Sequence, residues 1–505
     1  MSTDQQKSPS ADGSLLRELG LGSLAATGIC SMLGASVYVV PFMIQRNVPG
    51  IGPWVLPTFL FAALPALLAA LAYAILASAM PRAGGSYLYA SRGLNPYLGF
   101  VASFSQWFGL SIVIGVIAYI IVPFLRDIAA ALGWAETAAL LENGFVRVAL
   151  ALLMLWSFVA SNLLGSRFYA RTLIPLMLLM FSLGAIVVFA GFSHDHADFA
   201  AGLMAREDRA LAAATRAAGN ADFDLGVFLA GAAILFSSFI GFDSIAQAGG
   251  EARNPGRNLP LAIGIAMGTV GAFYFLFTAA VYHTVPWEFV ASESLQKDVT
   301  APGLLAYVLP GGWAIAIIAG AAIALLNDLP AMLLAVSRLM FAWARDGIFP
   351  SAIARVHPRR HTPQTAILLS GLMATLGILG SHFASDFFLG IDIMVTSMLV
   401  NFLLMCLTVI TLPRRNPELA RRITVLRHRP SQLVLACLGA LLLFGFLIIH
   451  VHKDLSAELS AWYFHSTPIW LIVMTLGSGI YWIERRKLTR SGADLSQAFS
   501  QLPPE

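Results

Sequence analysis

The chain has 505 residues, 58% of them hydrophobic and only 11% charged, with a mean hydropathy of +0.76. Soluble domains carry about 25% charged residues, so this composition excludes a soluble globular protein and specifies a polytopic membrane protein. The net charge of +4 does not point to nucleic acid, because the basic residues sit in short loops between apolar runs.

Residues 1–17 are polar and lack an apolar core followed by a small-residue cleavage site. No removable signal peptide is expected, and the first span doubles as the targeting signal. That span lies in the uncharged window Leu19–Gln45, 27 residues between Glu18 and Arg46. A bilayer core of about 30 Å needs roughly 20 helical residues, so the window is long enough. Its centre, within Gly28–Pro41, holds Cys30, Ser31, Gly34, Ala35 and Ser36, which make a poor greasy helix. One reading is a continuous helix whose small residues admit a close neighbour. The other is a helix opened around Ser31–Ser36, which hydrocarbon tolerates only beside a protected cavity. An opened helix points the amides of its second half into the midplane, where they suit a carboxylate.

Eleven more uncharged windows follow, at Asn47–Pro81, Gly93–Leu125, Val148–Ser166, Thr172–Ser193, Leu225–Phe242, Asn258–Tyr282, Val299–Asn327, Thr362–Ser381, Ile393–Pro413, Pro430–Ile449 and Ser466–Ile483. The sixth and eighth spans are each extended by one aspartate inside the apolar run, Asp243 and Asp328. Of the 31 Lys and Arg residues, 23 fall on the side holding the N-terminus. By the positive-inside rule both termini are expected in the cytoplasm.

The outer loop 194–224 reads as a solvated excursion. Its His194, Asp195, His196 and Asp198 are expected as a solvated run rather than a metal cluster, and no metal is expected elsewhere. The inner loop with Arg414, Arg415, Arg421, Arg422, Arg427 and Arg429 is expected to fix topology, with attraction to anionic headgroups as the other option. Cys30, Cys406 and Cys437 all fall in apolar windows and read as small hydrophobic side chains, not a disulfide framework.

Span 6 repeats the anomaly of span 1. Leu235–Ser244 again places polar and glycine residues mid-span. Spans 1 and 6 open two sets of five, so the second set enters the membrane inverted. Interrupted segments at corresponding positions of inverted halves are the best pointer to a transporter's binding site, which favours the opened-helix reading of span 1.

Four ordered stretches then resemble the amino acid–polyamine–organocation (APC) permeases. They are Gly34-Ala35-Ser36 in span 1, Met80–Tyr87 in what looks like the loop after span 2, Phe239–Asp243 with Glu251–Pro260, and Ser337-Arg338 with Ala344–Pro350. The likeness covers roughly residues 15–430. It implies an all-α membrane protein with a five-plus-five inverted-repeat core and two added C-terminal helices, working by alternating access. The organisation expected is a cytoplasmic tail over 1–17, a first repeat over 18–193, the extracytoplasmic loop 194–224 and a second repeat over 225–413. A basic cytoplasmic loop over 414–429, two further helices over 430–484 and a cytoplasmic tail over 485–505 complete it. Carried over by position, Gly34, Ala35 and Ser36 would hold a substrate carboxylate, and Met32, Phe236, Ser237 and Phe239, next to Gly241, would face the amino group. Two departures matter. Arginine-exchanging members place tryptophans in spans 6 and 8, where this chain has Ser237 and Met332, so the cation–π cage is gone. Some proton-coupled members carry a lysine in span 5, where Thr172–Gly191 has no ionisable residue and Met180 is the nearest match.

A lone carboxylate deep in a span costs several kcal/mol and is functional by default. Asp328, preceded by Asn327 and followed by Pro330, is expected to carry the coupling proton or ligate sodium against span 1. The alternative is a local patch for backbone freed by Pro330. Asp243 is expected to cap the second half-helix of span 6, with a gating role compatible. Asp392 is expected at a solvated outer end of span 10. The function expected is secondary active transport of small or medium neutral amino acids, with a proton or sodium ion and the bilayer as partners. A cationic amino acid or polyamine is the alternative substrate. No cofactor is expected, no catalytic constellation falls at one depth, and no Walker-type segment supports ATP drive. A transport-fold sensor remains a third class.

Overall fold

A computed structural model describes residues 15–34, 36–215, 222–297, 299–384, 388–457, 461–490 and 499–503. Ala35, most of the N-terminal tail, part of the outer loop and part of the C-terminal tail lie outside them, as does the side chain of Ser36. Twelve helices long and apolar enough to cross a membrane lie among the described residues: Leu21–Asn47, Gly52–Ala79, Pro96–Ala131, Gly144–Leu164, Phe168–Ser193, Leu225–Gly250, Pro255–Thr284, Ile315–Arg345, Gln364–Phe383, Leu389–Arg415, Arg429–Ser456 and Ser466–Arg490. We number these spans 1 to 12.

Backbone groups in hydrocarbon must be paired within the segment, which makes the spans helical except where neighbouring protein shelters a break. Span 3 is the central post and packs along spans 8, 9 and 10. The first half of span 1 lies in a groove between spans 5, 7 and 8, and Leu24–Met32 is buried without a break. Span 11 packs on spans 10 and 2, and span 12 on spans 10 and 3. Large apolar side chains such as Leu60, Phe189 and Leu441 stay exposed on the outside, as expected where lipid tails replace a protein core.

Two spans are broken. Span 1 is helical over Leu21–Met32 and again over Ser36–Asn47. Between them Leu33 leaves the helical region at φ −87 and ψ 78. Span 6 runs as a helix over Leu225–Leu235, tightens into a 3-10 turn over Phe236–Phe239 and becomes extended at Ile240. Gly241 follows at φ 133, a conformation that L side chains rarely adopt. A Cβ there would also collide with the Ser31 carbonyl, so the two breaks touch backbone to backbone.

The structure corrects four expectations. The Met80–Tyr87 loop becomes helix at Gly85, which with Ser86 and Tyr87 starts the buried helix Gly85–Gly93. Span 3 continues past Arg126 and Asp127 to Ala131; charges close to a span end reach interfacial water and do not stop a helix. The window Val299–Asn327 is not one span, because a short helix Ala301–Leu305 precedes the long helix Gly311–Arg345. The loop 194–224, expected on the outer side, is not simply solvated. Its helix His196–Glu207 buries Phe199 and Leu203, with the Phe199 ring against Phe289 and Tyr307. Asp195 and Asp198 close a capping box at its start, which gives both carboxylates a structural use.

Candidate functional site

The break in span 1 opens onto a cavity of about 150 Å3 between spans 1, 3, 6, 8 and 10. Ser31, Met32 and Gly34 form its floor along span 1. Span 3 adds a wall of Val113, Val116, Ile117 and Ile120. Ser237 and Met332, the positions where aromatic lids were expected to be missing, both line it. The lining is almost wholly apolar. Among the described residues it holds, besides Ser31 and Ser237, one polar side chain, Asp328.

Asp328 faces span 1. A Cβ built on Gly34 would strike its Oδ2, so glycine is what lets the carboxylate reach the unwound backbone. Its Oδ1 is buried with no hydrogen-bond partner among the described residues. A carboxylate that patched the backbone around Pro330 would show a bond to it, and none is present among those residues. Next to it, the Asn327 amide donates to Cys30 Sγ at 2.9 Å, tying span 8 to span 1. With Oδ1 unpartnered among the described residues, this buried carboxylate is a costly group to hold in an apolar wall.

Other expected site residues lie elsewhere. Phe236 turns away from the cavity to stack edgewise on Phe402 and Phe446. Phe239 points out beside Phe59 and Tyr274. In a 3-10 turn successive side chains splay by about a third of a turn, so Ser237 alone of the three faces inward. The Met32 carbonyl already accepts from the Tyr274 hydroxyl at 3.1 Å, and the Gly34 N–H donates to that same carbonyl at 3.2 Å. Gly241 is the contact point between the two breaks, not a cavity wall.

Asp243 makes no side-chain cap, and the helix it was expected to start has only four residues, Ser244–Gln247. Its carboxylate instead reaches back to the Gly241 N–H at 3.2 Å and accepts from the Gln106 amide of span 3. Gln106 in turn accepts from Ser86 at 2.5 Å and Gln247 at 3.1 Å. Asp243 therefore belongs to a buried polar knot on the N-terminal side of the cavity. Asp392 is half-buried at the end of span 10, and its carbonyl accepts from Thr396 and lies 3.2 Å from His450 Nε2.

The N-terminal side is sealed further by two ion pairs. Arg338 of span 8 makes a two-pronged pair with Glu251 after span 6, at 2.7 and 3.0 Å, with both side chains 1% exposed. Arg92 pairs with Asp346, which also accepts from the Tyr87 hydroxyl at 2.7 Å. The rings of Phe100, Phe104, Trp107 and Trp343 fill the space between spans 3 and 8. On the opposite side a vestibule of about 690 Å3, lined by Tyr119, Arg126, Asp127, Arg147 and His382, meets the cavity at Val39, Ile120 and Phe124. The site is thus reached from one side and locked on the other.

Gly34 and Asp328 stood out because each broke the pattern of an apolar span, while Ser237 and Met332 came from the family resemblance; all four line the cavity. The resemblance implied a site between spans 1, 3, 6, 8 and 10, but no residue of the walls from spans 3 and 10, such as Ile391 and Met394, was named, since an apolar residue in an apolar span carries no signal.

Twelve spans, two opposed breaks and a midplane cavity with one-sided access define the class of membrane transporters with discontinuous helices. A family profile for amino acid permeases matches residues 19–476. The chain belongs to the amino acid permease family, within the APC superfamily, whose members are transporters and not enzymes. It is 30% identical to cationic amino acid transporter 4 of Mus musculus over 383 residues, 73% of this chain and 56% of that one. It spans little more than half the length of the mouse and human cationic relatives. The branched-chain amino acid permease BcaP of Bacillus subtilis is 26% identical over 455 residues, 87% of this chain and 90% of that one. A methylthioribose transporter of the same species is 24% identical over 498 residues, 94% of each chain.

Proposed function

We propose that the protein is a secondary active transporter of small or medium neutral amino acids, coupled to a proton or a sodium ion at Asp328. The observation that carries this is the lining of the cavity. A wall of Val, Ile, Leu and Met side chains suits an aliphatic side chain, and the amides starting the second half of span 1 at Ser36 suit the substrate carboxylate. Gly34, Ala35 and Ser36 are the residues assigned to that carboxylate, with Met32 and Ser237 toward the amino group. The branched-chain permease among the relatives supports the substrate class. Asp328 then supplies the coupling. Ion binding that differs between the two ways the site opens links uptake to a gradient.

The second reading is a cationic amino acid or polyamine, with Asp328 neutralising its charge. The cationic relatives favour it. Both readings place the protein in the cell membrane, with the basic loops and both termini on the cytoplasmic side.

Proteoliposomes test the proposal. Labelled leucine should accumulate under a proton or sodium gradient, and unlabelled leucine should compete better than arginine. Asp328→Asn should abolish gradient-driven accumulation and spare exchange of labelled for unlabelled substrate. Accumulation that survives in Asp328→Asn removes the coupling role. Competition by arginine alone selects the cationic reading. Binding without counterflow would mean a sensor.

A further inference from the structure

On the outer face of the bundle, spans 2 and 7 leave a groove of about 1110 Å3 that shares no lining residue with the central cavity. Its walls are Leu60, Leu64, Leu67 and Leu71 on one side and Gly264 and Gly268 on the other. No atom lies within 4 Å of a Cβ built on either glycine, so the missing side chains leave open space. Along span 7 the lining runs from Gly256 to Gly271, about 22 Å at 1.5 Å per residue. That is the depth of one leaflet with its headgroups, half of about 40–45 Å.

The groove has a polar end only on the N-terminal side, at Ser78, Arg257 and Thr424. Thr424 also lines a second pocket, of about 750 Å3, together with Arg421, Arg422, Arg427 and Arg429. This segment is built, not loose. The Thr424 N–H donates to Ser78 Oγ at 3.1 Å, pinning it to the end of span 2. Arg429 donates to the Val409 and Ile410 carbonyls and to Gln432. The chain turns sharply at Leu426, with φ 49, and Gln432 holds that turn through the Leu426 carbonyl at 2.9 Å. Arg421, Arg422 and Arg427 are exposed and make no ion pair among the described residues. Glu418 is the one carboxylate between residues 414 and 429.

We infer that the groove and the arginine pocket form one site for an anionic phospholipid, its acyl chains between spans 2 and 7 and its phosphate among Arg421, Arg422 and Arg427. Charge and shape both select this occupant. An apolar slot one leaflet deep takes acyl chains, and a basic pocket at its interfacial mouth takes a phosphate headgroup. The tails would lie on Phe239, which lines the groove from the 3-10 turn at the break of span 6. Lipid would thereby touch the back of the segment whose front lines the central cavity. This inference does not rest on the substrate reading.

The test uses the full chain in nanodiscs of phosphatidylcholine with about 20 mol% phosphatidylglycerol, transferred to detergent, with retained lipid counted by mass spectrometry. Wild-type protein should retain phosphatidylglycerol in preference to phosphatidylcholine. The triple variant Arg421→Gln, Arg422→Gln, Arg427→Gln should retain it about a hundredfold less tightly, at about 1 kcal/mol per arginine and 1.4 kcal/mol per tenfold. Gly268→Leu fills the slot without touching the arginines, and should lower retention of both lipids. No preference in wild type, or a preference unchanged in the triple variant, overturns the inference. So does a protein mass showing a second copy of the chain in place of lipid.

Discussion

The contact between Gly34 and Asp328 gives the most decisive perturbation. Gly34 is not held at a positive φ, so alanine there is not a backbone lesion. Its new methyl would strike Asp328 Oδ2, the end of a side chain that can swing. Overpacking of this kind costs about 1–3 kcal/mol. Since 1.4 kcal/mol is tenfold, that corresponds to a loss of roughly 5- to 150-fold in apparent affinity for substrate or coupling ion. Gly34→Leu cannot be relieved by a swing and should abolish binding while leaving extractable, folded protein. The control is Gly380→Ala in span 9, where nothing lies within 4 Å of the added Cβ and no loss is expected. The assay is uptake into proteoliposomes with and without an ion gradient, alongside thermal unfolding to confirm folding. Wild-type affinity and coupling in Gly34→Ala would refute the argument, because the carboxylate would then have no business at the break.

Ser237→Trp should fill much of the 150 Å3 cavity and cut uptake of the larger neutral side chains by about tenfold or more relative to alanine; an unchanged substrate profile would show that Ser237 does not limit the site. Glu251→Gln leaves Arg338 buried at 1% exposure without its charge partner, so thermal stability should fall by about 3–5 kcal/mol, whereas Glu251→Leu with Arg338→Met should recover most of it. If the double variant is no better than the single, the pair is not the seat of the loss. Outside the membrane, the Tyr307 hydroxyl and then the Arg209 guanidinium hold the Glu207 carboxyl below its usual range. A depressed carboxyl stabilises the fold above its unfolded value of about 4.3 and loses that contribution as pH falls through its folded value. Hydrogen exchange over residues 196–207 should therefore stay slow from neutral pH down to that range and quicken below it; quickening already near pH 6 would point to another group.

Span number and the two breaks were legible in the sequence because bilayer thickness and backbone pairing leave few options. A run of about 20 apolar residues is a helix, and a run with Ser31, Gly34 and Ser36 at its centre is a helix under pressure to open. Asp328 stood out for the same reason, since one carboxylate in a greasy run needs explaining. What the pattern does not encode is rotation about each helix axis. Phe236, Ser237 and Phe239 are neighbours in sequence, yet only Ser237 lines the cavity. Asp243 was expected to look forward along its helix and instead looks back to Gly241 and across to Gln106. Gln106 has no charge to flag it and sits in span 3, 137 residues away. Nor did the outer loop announce that Phe199 and Leu203 pack inward, because its many alanines and charges masked a four-residue apolar spacing.

Leu19 and the segment after span 6 are joined by two main-chain hydrogen bonds. The Leu19 N–H donates to the Glu251 carbonyl, and the Arg253 N–H donates to the Leu19 carbonyl, both at 2.8 Å, as a parallel bridge between Leu19 and Ala252. Such a seam is blind to side-chain identity, so an alanine scan would pass over it. It welds the mouth of span 1 to the foot of span 6, and the two must travel as a single lever when the N-terminal side opens, or the seam must unzip first. Only a residue without an N–H reaches it: Arg253→Pro would cut one of its two stitches while leaving the central cavity untouched.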